Sequence, residues 1–145
     1  MDNVKIEVRR DPSKEEIDLI FNGLVEFNQS RVGDARFKEF GILVSDESGA
    51  TIAGLLGHTL WNGFFISALW VAEANRRKGI GQQLLARAEE LAIQNGCDHI
   101  HLDTFDFQAR DFYEKNGFKI FGAIEDYPIG HKRYYLVKKL GRQTI

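Results

Sequence analysis

Apolar and polar residues alternate over residues 4–9, VKIEVR, and this period of two predicts a half-buried strand. The period then lengthens. In PSKEEIDLIFNGLVEFNQ the residues Ile17, Ile20, Leu24 and Phe27 share one face of a helix whose start is marked by Pro12 and Ser13. Three apolar runs follow in EFGILVSDESGATIAGLLGHTLWNGFFISALWV, broken at DESGA and at Asn62–Gly63, a two-residue hairpin signal. They predict three antiparallel strands. Leu84, Leu85, Ala88, Leu91 and Ala92 line one face of a second helix that ends at Asn95 and Gly96. HIHLDTF reads as a strand, FQARDFYEKNG as a short helix closed by Gly117, and FKIFGAIED and KRYYLVKKL as two final strands joined through YPIGH. The order predicts the α/β class, with a mixed, mainly antiparallel central sheet of about seven strands flanked by helices.

Length and charge narrow the picture. The 145 residues fit a single domain, 1–145, long enough to bury a sizeable core but with no room for a separate cofactor domain. With 19 Lys and Arg against 21 Asp and Glu, the formal charge is -2, which argues against the uniformly basic surface of a general nucleic-acid binder. Any anion site is therefore local. Cys97 is the only cysteine, so an internal disulfide and a thiolate zinc cluster are excluded and a reducing compartment is expected. No run reaches the ~20 apolar residues of a membrane span, and MDNVKIEVRRD has no apolar signal core. The expectation is a soluble cytoplasmic protein, monomer or homodimer, with no nucleic-acid or membrane partner.

One helix start does not fit propensity. ANRRKGIGQQLL, residues 74–85, sets Arg76, Arg77 and Lys78 beside Gly79 and Gly81, although a glycine costs roughly 1 kcal/mol relative to alanine inside a helix and clustered cations repel. An anion would explain both. The two commonest phosphate loops fail by spacing: Lys78 precedes the glycines with no Ser or Thr after them, and a dinucleotide fingerprint would need a third glycine at Leu84. What remains is a strand ending at Val71, a turn, and free N–H groups from Gly79 to Gly81 opening a helix whose positive dipole end favours phosphate.

This arrangement resembles the GNAT superfamily of N-acyltransferases, whose acyl-CoA pyrophosphate loop follows the pattern Arg/Gln-x-x-Gly-x-Gly/Ala. Arg76, Gly79 and Gly81 fill it. The resemblance extends to FFISALWV before the loop, the helix after it, HIHLDTF, and AxxxYxKxGF realised as Ala109, Tyr113, Lys115, Gly117 and Phe118, and it covers about residues 4–140. It implies a GNAT-like fold and acetyl-CoA as co-substrate, with no metal. The backbone of Arg76, Arg77, Lys78, Gly79, Ile80 and Gly81 would hold the pyrophosphate, and the strand segment Leu69, Trp70 and Val71 would carry the pantetheine arm. The strands ending near Val71 and starting near His99 would splay apart around the thiol end, with Tyr113 facing the thioester sulfur. Asp106 stands where many relatives have asparagine, and reads as an N-cap for a helix beginning near Phe107.

The chemistry suits these residue types. An amine acceptor attacks the thioester carbonyl, and the thiolate departs more readily if a tyrosine, protonated at pH 7, donates to it. Backbone N–H groups along Leu69 to Val71 would polarise the carbonyl oxygen. For the base that deprotonates the amine, FFISALWV offers no carboxylate, leaving His58, Asp103, Glu125 or water. Trp61 and Trp70 are candidates for an acceptor pocket or for packing. His99, His101 and Asp103 share a strand face at a spacing that formally suits a metal, although strand histidines beside Ile100 and Leu102 read as packed. Cys97 has no partner at a recognisable spacing and reads as a small buried residue. The resulting expectation is an N-acetyltransferase; the alternative is a non-catalytic acyl-CoA-binding or sensing module.

Overall fold

Ser13 caps the first helix of the computed structural model, which describes residues 3–141 in two units, one up to Ala35 and one from Arg36 onward. In the first unit, Ser13 Oγ accepts a hydrogen bond from Glu16 N at 3.1 Å, and the Glu16 carboxylate accepts one from Ser13 N at 2.9 Å. This reciprocal pair satisfies two donors that helix α1 (Lys14–Val32) would otherwise leave open. Residues 4–9 form no strand, contrary to the alternation. Ile6 and Val8 are 91% and 97% exposed, and exposed ion pairs join Glu7 to Lys5 and Arg9, and Arg9 to Glu16. Alternation gives a segment two unlike faces but supplies no neighbouring strand to pair with.

The second unit therefore contains six strands rather than about seven: β1 (Lys38–Ser45), β2 (Thr51–Leu60), β3 (Gly63–Val71), β4 (His99–Phe105), β5 (Lys119–Glu125) and β6 (Lys132–Lys139). They form one sheet in the order β1-β2-β3-β4-β6-β5, and only the β3–β4 pair is parallel. Helix α2 (Ile80–Gln94) connects that pair, and the short α3 (Arg110–Lys115) precedes β5. Alternation sends Ala53, Leu55, Phe64, Ile66, Ile100, Leu102 and Leu136 into one core with Leu84, Leu85, Ala88 and Ala92 of α2. Burying each of the larger side chains contributes roughly 1.5–3 kcal/mol. Leu91 sits at the margin of this core, half-buried.

Glycine closes both α2 and α3 by the same device. Cys97 N donates to Ala92 O and Gly96 N to Ile93 O; Phe118 N donates to Tyr113 O and Gly117 N to Glu114 O. Gly96 and Gly117 adopt φ +76° and +93°, the left-handed conformation this double bond requires. The β2–β3 hairpin differs from the sequence reading. Leu60 pairs with Gly63, so Trp61 and Asn62 form the loop, with Trp61 at φ +50°. Gly63 serves another purpose, since a Cβ there would lie 2.8 Å from His99 Nε2. Asn62 Nδ2 instead donates to both Asp98 carboxylate oxygens, joining the hairpin to the start of β4. No helix among the described residues is long and apolar enough to cross a membrane.

Candidate active site

The parallel ladder between β3 and β4 runs from Gly63–His99 to Ile66–Leu102 and stops. Each strand keeps its outer partner beyond that point. β3 stays paired with β2 as far as Ala53–Val71, and β4 with β6 as far as Phe105–Arg133. The parting coincides with a bulge: Gly57 faces Ile66 while Leu56 faces Ala68, so Ser67 is an extra residue on β3, and its hydroxyl donates to Leu56 O at 3.2 Å. A bulge bends its strand and increases the local twist. The inner edges at residues 67–71 and 103–105 are thereby left without a strand partner. Leu69 and Val71 are half-buried along this edge, and Trp70 is 52% exposed.

The chain leaves the edge through a loop that ends in an open helix terminus. Ala72 N donates to Ile52 O, a 3-10 turn spans Glu73–Asn75, and Arg77 and Gly79 take φ +65° and +80°. Gly79 is the N-cap of α2. No side chain caps the helix and its first turn holds no acidic residue. The first bond onto the cap runs from Gln83 N to Gly79 O, so Ile80, Gly81 and Gln82 keep N–H groups with no intrahelical partner. Arg77, Lys78 and Gly79 are exposed and Ile80 is half-buried. Arg76, also exposed, is committed to Val71, whose carbonyl oxygen accepts from Nε at 2.9 Å. The arrangement suits an anion: unpaired N–H donors and a positive dipole end stand beside two exposed cations, and the first turn of α2 holds no carboxylate.

Gly81 carries a second requirement that spacing did not reveal. A Cβ at this position would lie 3.0 Å from Phe112 Cζ, so the missing side chain lets α3 approach the start of α2. Tyr113 follows Phe112 on α3. Its ring, 7% exposed, lies 5.3 Å from that of Phe112 and 5.7 Å from that of Phe118, and burial pushes its hydroxyl up to about 12. The hydroxyl makes no hydrogen bond with a described residue, yet no buried side-chain oxygen among those residues is left unpaired. Its oxygen therefore reaches accessible space while the ring stays in the core. Such a group holds its proton through neutral pH and can donate it.

Of the remaining candidates, His58, His99, His101 and Asp103 lie on the face of the sheet opposite the core. His58 lies between the rings of Phe37 and Phe65, at 5.2 and 5.4 Å. His101 is pushed down by burial and by His99 and His58 nearby, against a smaller upward pull from Asp103. His99 Nδ1 is 2.7 Å from Asp98 Oδ1, and Glu125 pairs with Lys132 at 3.5 Å. Asp103 accepts two bonds from Arg133. Among the described residues, no three His, Cys, Asp or Glu side chains converge as a metal site. Cys97 is 5% exposed, with its thiol pushed up chiefly by burial and further by Asp98, against a downward pull from Arg36. Asp106 does not cap a helix. α3 begins at Arg110, and Asp106 instead accepts from Lys132 N at 3.0 Å and pairs with His131 Nδ1 at 2.9 Å, while Gln108 Oε1 closes the turn after β4. An acceptor-only carboxylate is drawn to the backbone N–H and imidazole that the β5–β6 connection brings beside it.

Arg133 was not among the sequence candidates. Its guanidinium is 5.4–5.6 Å from the ring centroids of Phe105, Tyr127 and Tyr135. The alternation in KRYYLVKKL places Arg133 and Tyr135 on one face of a strand, but only the register with β4 brings them to Phe105 and Asp103.

Residues 10–118 match the model of the Acetyltransferase (GNAT) family. A blasticidin-S acetyltransferase of Streptomyces morookaense is 40% identical over 95 residues, covering 65% of this chain and 70% of that protein. An acetyltransferase of Agrobacterium fabrum is 33% identical over 116 residues, 80% and 85% of the two chains. The crystal structure of an acetyltransferase from Bacillus cereus superposes with a TM-score of 0.87 at 34% identity, covering 97% of this chain and 100% of that one.

Proposed function

The chain belongs to the GNAT acetyltransferase family, and from that premise we propose that it transfers the acetyl group of acetyl-CoA to a primary amine by direct attack, with Tyr113 as general acid. It is an acetyl-CoA-dependent N-acetyltransferase, which sets aside the non-catalytic binder. Residues 1–145 act as one acetyltransferase domain in this reading, and the unit from Arg36 onward carries every residue named for the site. The observation that carries the proposal is the gap opened where β3 and β4 part at Ile66 and Leu102, which leads along Leu69, Trp70 and Val71 to the uncapped start of α2. Pyrophosphate is held by backbone N–H groups between Arg76 and Gly81, and the pantetheine arm lies along the free edge of β3.

The amine loses its extra proton to water and attacks the thioester carbonyl carbon. Backbone donors on β3 hold the oxyanion that forms. The nitrogen sheds a second proton to water as the C–S bond breaks, the sulfur takes the Tyr113 proton, and solvent returns a proton to the tyrosinate. No acyl group resides on the protein at any stage.

Calorimetry with acetyl-CoA, followed by thiol-release assays over amines of several classes including blasticidin S, tests the proposal. Saturable binding and amine-dependent thiol release, with an unmodified protein mass throughout, are the expected results. Thiol release that needs no amine, or an acetylated Cys97 in the mass spectrum, would overturn direct transfer.

A further inference from the structure

Arg133 and Asp103 form an ion pair that leaves both partners half-used. Arg133 Nε and Nη2 both donate to Asp103 Oδ1, at 3.1 and 2.7 Å, and Oδ2 accepts no bond from any described residue. The guanidinium has five N–H donors. Two are spent here, so three remain without a hydrogen bond among the described residues. The side chains are 27% and 21% exposed, so this unspent capacity is partly accessible to solvent. Phe105, Tyr127 and Tyr135 frame the guanidinium at 5.4–5.6 Å, and Phe105 meets Tyr127 edge to face at 5.5 Å. The rings hold the cation in place without consuming its hydrogen bonds.

Position in the fold gives this pair its meaning. Asp103 is the first residue of β4 beyond the last parallel partner, Leu102, and so stands where the gap between β3 and β4 opens. Leu102 and Thr104 are buried on the face that α2 covers, so alternation puts Asp103 and Phe105 on the opposite face. Tyr113 belongs to the core on the α2 face. An acceptor attacking a thioester that lies in the gap with its sulfur toward Tyr113 would approach from the face bearing Asp103.

We propose that Asp103 and Arg133 are the acceptor-recognition residues, and that they select an amine carrying a carboxylate within a few bonds: an α-amino acid with an apolar or aromatic side chain. This rests on the acetyltransferase reading above. Oδ2 of Asp103 takes an N–H of the acceptor amine, the free donors of Arg133 take the carboxylate, and the three rings wall the side chain. Adjacent negative and positive poles match a zwitterion, whereas a polyamine would meet the guanidinium with like charge.

The test compares phenylalanine, phenylalaninamide and phenethylamine on wild type, Arg133→Gln, Arg133→Lys and Asp103→Asn. Acetyl-CoA affinity and melting temperature are measured in parallel. Wild type should show a KM for phenylalanine at least about tenfold below that for phenethylamine, because the amine lacking the carboxylate leaves the guanidinium donors unpaired. Arg133→Gln should raise the phenylalanine KM about tenfold or more while moving that of phenethylamine less than about threefold, with Arg133→Lys intermediate. Asp103→Asn should raise KM for all three. Unchanged acetyl-CoA affinity and melting temperature in the variants would confine the effect to the acceptor. Phenethylamine turning over as well as phenylalanine, phenylalanine neither reacting nor binding to the acetyl-CoA complex, or Arg133→Gln lowering kcat equally for every acceptor at constant KM would each overturn the inference. In those cases intact acetyl-CoA binding and turnover of other amines leave the acetyltransferase reading standing; failure of wild type to bind acetyl-CoA removes both.

Discussion

Arg76 Nε donates to the carbonyl oxygen of Val71 over 2.9 Å, so the first cation of the loop is fastened to the strand from which the loop departs. The bond sets where the N–H groups that follow can point, and it joins a charged donor to a neutral acceptor rather than two full charges. Arg76→Ala should weaken acetyl-CoA binding about three- to tenfold, from loss of one hydrogen bond worth about 1 kcal/mol, with little dependence on salt. Lys78→Ala removes an exposed charge instead, so its effect should fade between low and high ionic strength. Calorimetry at two salt concentrations separates them. If Arg76→Ala showed the steeper salt dependence, its guanidinium would be acting on the anion directly.

Gly81 and Phe112 tie the anion loop to the helix that carries Tyr113. Because a Cβ at residue 81 would lie 3.0 Å from the Phe112 ring, Gly81→Val should cost about 1–3 kcal/mol of stability through overpacking. Phe112→Leu in the same chain should recover part of that cost. Gly79→Val behaves differently: nothing lies within 4 Å of its would-be Cβ, and the penalty comes from φ +80°. A double-mutant cycle by thermal denaturation should show coupling for the 81–112 pair and additivity for 79–112. Additivity in both would mean that the Phe112 ring simply moves aside.

What the sequence made legible was local. The capping residue Ser13, the apolar stripe of α2 and the glycine stops at Gly96 and Gly117 each depend on residues within one or two turns, and each stands where the pattern places it. Residues 4–9 show the limit, since a period of two describes a strand only if another strand lies beside it. The hairpin marked by Asn62–Gly63 forms, but one residue early, for a related reason: Gly63 is demanded by His99, 36 residues away, rather than by the turn. The same distance hid the acceptor wall. Asp103 stands out only as a candidate base or metal ligand, and Phe105, Arg133 and Tyr135 are ordinary strand residues until the β4–β6 register sets Asp103 opposite Tyr135 and Phe105 opposite Arg133. The glycine loop was readable because its oddity, cations and glycines at a helix start, is contained in six residues.

His101 should govern part of the acid stability of the sheet. Burial, with His99 and His58 nearby, holds its folded-state value below the ordinary 6.5, so the unfolded chain binds the proton more readily. Stability from the neutral ring is therefore fully present above pH 6.5 and is lost as pH falls through the lowered value. His101→Gln should flatten the decline in melting temperature between about pH 7 and 5 relative to wild type. An unchanged acid limb would assign that decline to other groups.

Tyr113 joins two properties that usually separate, a buried ring and a hydroxyl with no hydrogen bond to any described residue. Tyr113→Phe keeps the first and removes the second. If the hydroxyl delivers the proton to the departing sulfur, kcat should fall about 10²-fold or more while acetyl-CoA affinity and melting temperature stay near wild type. Phe118→Leu, altering the ring 5.7 Å away, should show the reverse, lowering the melting temperature and sparing kcat. The pH dependence adds an independent check. Burial raises the hydroxyl from 10 to about 12, so it remains a proton donor across the range in which amines lose their protons. The rate should then climb with pH as the acceptor deprotonates, without a falling alkaline limb from Tyr113 below about pH 11. Stability follows the same sign: the contribution of the neutral hydroxyl is complete below pH 10 and disappears as pH rises through about 12. Tyr113→Phe should therefore lose less stability than wild type over that interval. A Tyr113→Phe enzyme that turned over at the wild-type rate with every accepted amine would leave water or the amine itself as the proton source for the thiolate.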